Sequence, residues 1–538
     1  MEKILNIKID SIHITSNIYI DTKIDEWITN LPSLNGSKII LNNIIKSPIN
    51  NKELLIERQK CNINLNDDDI DILKKYEDSV LWCYNLENEF KDNESNKLLF
   101  LSVYFLKYLN NCEYFLNLLH IYKIILLPLF ILISPITLFI APYYYIKKII
   151  KNISFIDYIK YILYIVKYIF KRTSNIKNDI YRLILFIIYI FLYFYNIYQT
   201  FEYTYMMYKT RKNLKNKIND LSIFLNKSLE IINSLNINDW KPFYIYKNID
   251  YNNLNINNSL SNVYKLWKNN SLTENIDTIL KIIYTIDVVN TINKLKNKED
   301  WCITNYCNET KLWAMKNPLL EYKQISNPID ISKNIIITGP NAAGKTTYIK
   351  SLTANIILSQ TIGICNAIKA NIIIYDSIKT FMRITDVIGS KSYFEAESAH
   401  CFDMIKDAII LSKQNKKGLF ILDEPMHSTP PIEGMSIAYA VCEYISKFNN
   451  IKLLITTHYH KLILLENKYP NKFINLCFNA SYDNINKNYL FDYKLNKGYS
   501  SKCIAIELLN SIKFPTELIE SAIEMKNKIC NDFYSSNV

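Results

Sequence analysis

The run Ile335-Ile-Ile-Thr-Gly-Pro-Asn-Ala-Ala-Gly-Lys-Thr-Thr347 constrains this chain more than any other stretch. From Gly339 to Thr346 it has the spacing G-x-x-x-x-G-K-T, directly after a β-branched run and directly before an apolar-periodic one. A strand feeding a glycine turn feeding a helix aims successive backbone N–H groups, and the positive end of the helix, at one point, as a polyphosphate requires. In that setting Lys345 is expected at the β- and γ-phosphates, and Thr346 is expected to give its hydroxyl to Mg²⁺. The expected phosphate-binding set is Gly339, Pro340, Asn341, Ala342, Ala343, Gly344, Lys345, Thr346 and Thr347.

Two further segments suit hydrolysis of the bound nucleotide. Gly418-Leu-Phe-Ile-Leu-Asp-Glu424 is an apolar run ending in two acids, the pattern of a buried parallel strand whose carboxyl end emerges at a site. Asp423 is expected to hold the Mg²⁺ shell, and Glu424 to orient and deprotonate the attacking water. A second apolar run, Ile451-Lys-Leu-Leu-Ile-Thr-Thr-His458, ends in a histidine placed to contact the γ-phosphate.

These residues resemble the MutS mismatch-repair ATPases, within the ABC-type ATPases. The resemblance runs through Thr338–Tyr348, Phe381-Met-Arg383, Ser392-Tyr-Phe-Glu-Ala-Glu397, Leu422-Asp-Glu424 with Glu433-Gly434, and Thr456-Thr-His-Tyr459. At the C-terminus, Lys497-Gly-Tyr-Ser-Ser followed by Ala505, Pro515 and Ala522 looks like the family's helical dimerisation segment. The resemblance implies two facing ATPase domains, with Ser392 acting in trans on the partner's γ-phosphate and Asn341 lying near the phosphates. It also implies ATP and Mg²⁺ as cofactors, a homodimer and a DNA partner. ATP would hold the dimer together and hydrolysis release it, a switch more than a metabolic catalyst.

The chain departs from the family pattern in places. The loop reads Ala342-Ala343-Gly344, the segment after the acid pair is Met426-His-Ser-Thr-Pro-Pro431, and Lys391 precedes Ser392. Gly36-Ser-Lys-Ile-Ile-Leu, Ser47-Pro-Ile and Glu57-Arg-Gln59 look like the start of the family's helical core, leaving about thirty residues before it, too few for another domain of ordinary size. Mismatch recognition of the usual kind is therefore not expected.

Between the arms of that core lies an unusual insertion. Ile124 to Ile146 (IILLPLFILISPITLFIAPYYYI) is uncharged and long enough to span a bilayer, and Leu183 to Gln199 (LILFIIYIFLYFYNIYQ) is uncharged at the lower length limit. Tyrosines crowd both ends, as interfacial aromatics do. Ile153 to Phe170 intersperses Lys160 and Lys167 among apolar and aromatic residues, a pattern suited to a membrane surface. The bland reading is core helices of a lever bundle, inflated by a composition with 41 Tyr and only 8 Gly. Spanning would place a strongly basic loop on the far side, against the positive-inside tendency, so an interfacial or re-entrant hairpin is the expected form.

Composition discriminates little. The balance of 63 basic against 51 acidic residues, +12, suits phosphate backbones and lipid surfaces alike. The 11 cysteines and the absence of a signal peptide point to a reducing compartment, with the ATPase facing the cytosol. The expected fold class is α+β and multidomain: an all-α core and lever followed by a C-terminal α/β P-loop, ABC-type ATPase. The expected boundaries are an N-terminal segment over 1–29, helical core over 30–117, membrane-associated insertion over 118–203, and returning core over 204–325. The ATPase follows over 326–480, with dimerisation helices over 481–538. The expected function is a dimeric DNA clamp or switch of the mismatch-repair or recombination type. The competing reading is a membrane-tethered switch without DNA, and an ABC-type transporter half is a weaker third.

Overall fold

A computed structural model of the chain describes residues 11–14, 17–86, 90, 98–169, 176–243, 259–268, 270–320, 324–382, 393–483, 488–500, 506–507, 509 and 514–535. The fold mixes helices with two sheets, and the chain divides into two compact units. One comprises Met1–Ile70, Ile231–Asn248 and Leu280–Val538; the other comprises Asp71–Glu230 and Ile249–Ile279.

Strands are numbered in chain order. Among the described residues the first unit holds a seven-stranded sheet in the order β1 (His13–Ile14), β8 (Ser377–Phe381), β9 (Gly418–Asp423), β10 (Ile451–Thr456), β5 (Asn334–Thr338), β11 (Phe473–Asp483), β12 (Asn488–Lys497). Every pairing is parallel except the terminal β11–β12 hairpin. The apolar runs read in the sequence explain this, because β5, β8 and β9 are buried at every position and need cover on both faces. Phe420, Leu422, Leu453, Ile455 and Phe473 form the core with Ala438, Cys442 and Ile445 of the helix Pro431–Ile445. After β5 the chain crosses to β8 and returns through β9 and β10 to one side of β5, while β11 takes the other side. The carboxyl end of β5 therefore sits where connections part to both sides, the position at which open parallel sheets bind ligands.

A second, mixed sheet runs β4 (Asn327–Asp330), β3 (Lys311–Met315), β7 (Lys369–Ile372), β2 (Cys302–Tyr306), β6 (Ile364–Cys365). Asn327 ties it to the first, accepting from Leu495 N at 2.8 Å and donating to Tyr493 O at 2.9 Å.

The other unit is helical among its described residues. Ser79 donates to Asp220 at 2.8 Å and Arg211 to Asn117 at 2.7 Å, pinning the helix Ile176–Ser234 against earlier ones. Phe90 stacks on Trp267 at 4.6 Å, with Phe100 and Tyr264 completing an aromatic cluster. The apolar insertion forms the helix Glu113–Ile121, a π turn over Tyr122–Leu126, the helix Leu127–Ile149, the helix Phe155–Ile169 and the first half of Ile176–Ser234. Pro135 and Pro142 lie inside the helix Leu127–Ile149. Pro135 cannot bond the carbonyl of Ile131, and the Ser134 hydroxyl donates to it instead at 2.8 Å, so the helix runs on.

Candidate active site

The glycine turn lies between β5 and the helix Lys345–Thr361. Gly339 and Gly344 have φ of 154° and 95°, and Ala342 also takes a left-handed φ of 64°. A Cβ on Gly339 would lie 2.8 Å from the Phe478 carbonyl, so the close approach of β11 as well as the backbone angle demands glycine there. Asn341, Ala342, Thr346 and Thr347 are exposed at the turn, whereas Ala343 is buried.

Lys345 is only 5% exposed and its ammonium donates to the carbonyls of Gly339 (2.9 Å) and Pro340 (3.2 Å). Across the turn, Thr346 donates to Asp423 Oδ2 at 2.9 Å, and Thr456 donates to Asp423 Oδ1. The last residues of β9 and β10 thus converge on the first turn of the helix because the three strands are adjacent in parallel register, with Thr456 opposite Asp423. Glu424, one step beyond β9, adopts φ 50° and donates its N–H to Thr456 O at 3.0 Å. That left-handed step is strained for a glutamate and turns its carboxylate back to the cleft. Glu424 Oε1 lies 2.7 Å from His458 Nε2 and 3.7 Å from Lys345 Nζ, and His458 Nε2 lies 3.1 Å from Lys345 Nζ.

A cleft of about 630 Å³ opens over these groups, lined by Pro340–Tyr348, Ser351 and Glu424. Its other wall is Met315, Asn317, Leu320, Ile325, Phe478 and Tyr493. Sequence reasoning missed this wall. Tyr493, with φ 50°, presents its ring at the loop; a Cβ added to Gly344 would be 3.2 Å from Tyr493 Cδ1. The only local signal was the alternation Phe491-x-Tyr493-x-Leu495 of a half-buried strand, which cannot say what the strand faces.

Ser392, Lys391 and Arg383 lie outside the described residues. The neighbouring Glu397 is 3% exposed and accepts from Ser428 N at 3.2 Å and from the Ser428 hydroxyl. The prolines of Met426–Pro431 start a helix: Pro431 is its first residue, where a missing N–H costs nothing. Gly434 lets that helix approach the loop, since a Cβ would lie 2.4 Å from Met426 O. Ser500 N donates to Thr338 Oγ1 at 2.9 Å, which folds the Lys497–Ser500 segment onto the strand leading into the turn.

Oxygen donors on Thr346 and Asp423 suit a hard divalent cation, and the glycine turn beside Lys345 suits an anion.

Residues 335–530 match the family described as MutS domain V. The chain is 35% identical over 230 residues to the DNA mismatch repair protein MutS of Prochlorococcus marinus (strain MIT 9312), covering 41% of this chain and 24% of that protein. It is 32% identical over 283 residues to the DNA mismatch repair protein MutS of Finegoldia magna, covering 49% of this chain and 32% of the relative. The match to the protein of the same name from Caldanaerobacter subterraneus is 32% over 266 residues, 48% and 30% of the two chains. The matches thus span 24% to 32% of these relatives' lengths.

Proposed function

We infer, from the premise that the C-terminal part of this chain belongs to the MutS family, that the protein is an ATP-hydrolysing switch acting as a homodimer on DNA. The observation that carries this reading is that Lys345, Thr346 and Glu424 line one cleft, with Asp423 bonded to Thr346 and His458 touching both Lys345 and Glu424 behind them. Their strand order and turn support an ABC-type P-loop arrangement. The N–H groups of the turn between Asn341 and Thr347 and the Lys345 ammonium would hold the triphosphate, and the wall of Leu320, Ile325 and Tyr493 would take the base. Thr346 and Asp423 would hold Mg²⁺, which when bound offsets phosphate charge. Glu424 takes the proton of the attacking water, and His458 keeps that carboxylate aimed at the cleft. Ser392 would complete the site of the second copy.

DNA enters this reading through the relatives' names and the basic run Lys209, Arg211, Lys212, Lys215 and Lys217. The proposed contact is with the phosphate backbone.

Lys345→Ala should abolish ATP binding. Glu424→Gln should keep binding, lose turnover by about 10²–10⁴ and accumulate an ATP-bound dimer. A Glu424→Gln enzyme hydrolysing ATP at the unmodified rate would remove the assignment of the base. DNA affinity should fall linearly in log–log with salt, and a flat dependence would remove the backbone contact.

One observation favours a second component, a membrane-associated switch inside the cell with the ATPase facing the cytosol. Leu183 through Leu192, which cover every direction about the helix axis, are all between 39% and 66% exposed. Core helices of a bundle would be covered on one side. Flotation and alkaline extraction of the full chain, beside one lacking residues 118–203, test this: loss of extraction-resistant binding on deletion is expected.

A further inference from the structure

Resting on the membrane-associated reading above, we propose that the insertion is a two-helix hairpin crossing a lipid bilayer, with the helix Phe155–Ile169 lying on the far surface. The helices leave the packed helical unit together. Arg211 donates to Asn117 at 2.7 Å, and the two uncharged bands, 124–146 on one helix and 183–201 on the other, both begin within about 15 Å of that bond at 1.5 Å per residue. Below the bond both carry charges, with Glu113 3.9 Å from Lys215. Above it, the bands are about 34 Å and about 28 Å long at helical rise, bracketing a hydrocarbon core of about 30 Å.

Both bands end in lysine or arginine again, at Lys147 and Lys148 on one helix and Arg182 on the other. The first then turns a corner held by rings: Tyr143 packs on Phe155 at 5.1 Å and on Tyr158 at 5.3 Å. Beyond it the helix Phe155–Ile169 collects Asp157, Lys160, Tyr164 and Lys167 along one stripe and leaves Ile156, Ile159, Leu163 and Val166 exposed on another. That is the construction of an in-plane interfacial helix, and its lysines complement anionic headgroups.

Three arrangements meet a bilayer differently. A re-entrant hairpin would leave Lys147, Lys148 and Lys151 at mid-depth, where charge is expensive. A hairpin lying flat would put lipid on half of each band and leave the rest of Leu183–Leu192 in water. A crossing hairpin covers all of it and puts every lysine at a surface. The positive-inside tendency opposes it, but that is a bias in orientation, and basic residues also flank the near side at Lys123, Lys209, Arg211 and Lys212.

The test uses the full native chain, synthesised cell-free in the presence of sealed phosphatidylcholine–phosphatidylglycerol vesicles. A membrane-impermeant amine reagent is applied before and after opening the vesicles, and labelled lysines are mapped by mass spectrometry. Labelling of Lys151, Lys160 and Lys167 is expected to be lost in sealed vesicles and recovered on opening, while Lys209 and Lys212 label in both. Equal labelling of both sets in sealed vesicles, with the protein still resistant to alkali, overturns the crossing and leaves membrane association standing. Release by alkali overturns both. Ile188→Lys, which places a charge in the second band, should lose resistance to extraction while retaining ATP binding; retention of both overturns the crossing.

Discussion

Arg58, wholly buried, donates its Nη1–H to the carbonyl of Thr361 at 2.5 Å. Thr361 is the last residue of the helix whose first residue is Lys345, so the far end of the phosphate-facing helix is held by a residue that precedes it by 303 positions. Arg58 Nε also donates to Pro242 O at 3.3 Å, and the guanidinium sits 5.1 Å over the Phe243 ring. Beside it, Gln59 donates to the carbonyls of Thr304 (2.7 Å) and Gly363 (3.0 Å). Burial pulls the Arg58 pKa down to about 10, which leaves it charged at neutral pH.

Removing that grip should be costly. Arg58→Ala leaves one buried and one half-buried carbonyl without a charged donor and is expected to lose about 3 kcal/mol in denaturant unfolding. Arg58→Lys should recover only part, because an ammonium lacks the planar fork that reaches two carbonyls at once.

Gly36 faces the ring of Tyr284, which is wholly buried; a Cβ there would lie 2.1 Å from ring carbon Cε2. Gly36→Ala is expected to destabilise by about 1–3 kcal/mol through overpacking. The pair Gly36→Ala with Tyr284→Leu should lose less than the sum of the single changes, a coupling read by a double-mutant cycle.

Asp21 carries a pH dependence of stability. Burial raises its pKa from 3.8 to about 6, against the attraction of Lys350 and with help from the repulsion of Asp423. The folded chain therefore holds this proton more tightly than the unfolded chain. The resulting stability is full below pH 3.8 and is lost as pH rises through about 6. Asp21→Asn should match the unmodified protein near pH 3.8, gain on it through the window and stay ahead above pH 6, as followed by urea midpoints.

His458 separates binding from turnover. It touches Glu424 and Lys345 but takes no part in the glycine turn, so His458→Ala is expected to leave ATP binding within a few-fold and to lower kcat by about 10². Isothermal titration beside steady-state turnover distinguishes this from a general loss of the site.

The glycine turn, the acid pair and the histidine were legible in the sequence because each rests on local spacing. A strand, its turn and the next helix are contiguous, and an apolar run ending in acids says which end of a strand carries them. The parallel register that brings Thr456 opposite Asp423 follows once those strands are neighbours. Gly36 and Glu57-Arg-Gln59 were visible as motif letters, but their partners Tyr284, Thr361 and Gly363 lie hundreds of residues away. The cleft wall of Leu320, Phe478 and Tyr493 was invisible for the same reason, since three separate segments build it.

The insertion shows the division most plainly. By itself the sequence determined that Leu183–Leu192 is apolar and helical, because hydrophobicity and periodicity are properties of consecutive residues. Whether those side chains are covered depends on what packs against them, and only the tertiary structure decided that they stand exposed on every face.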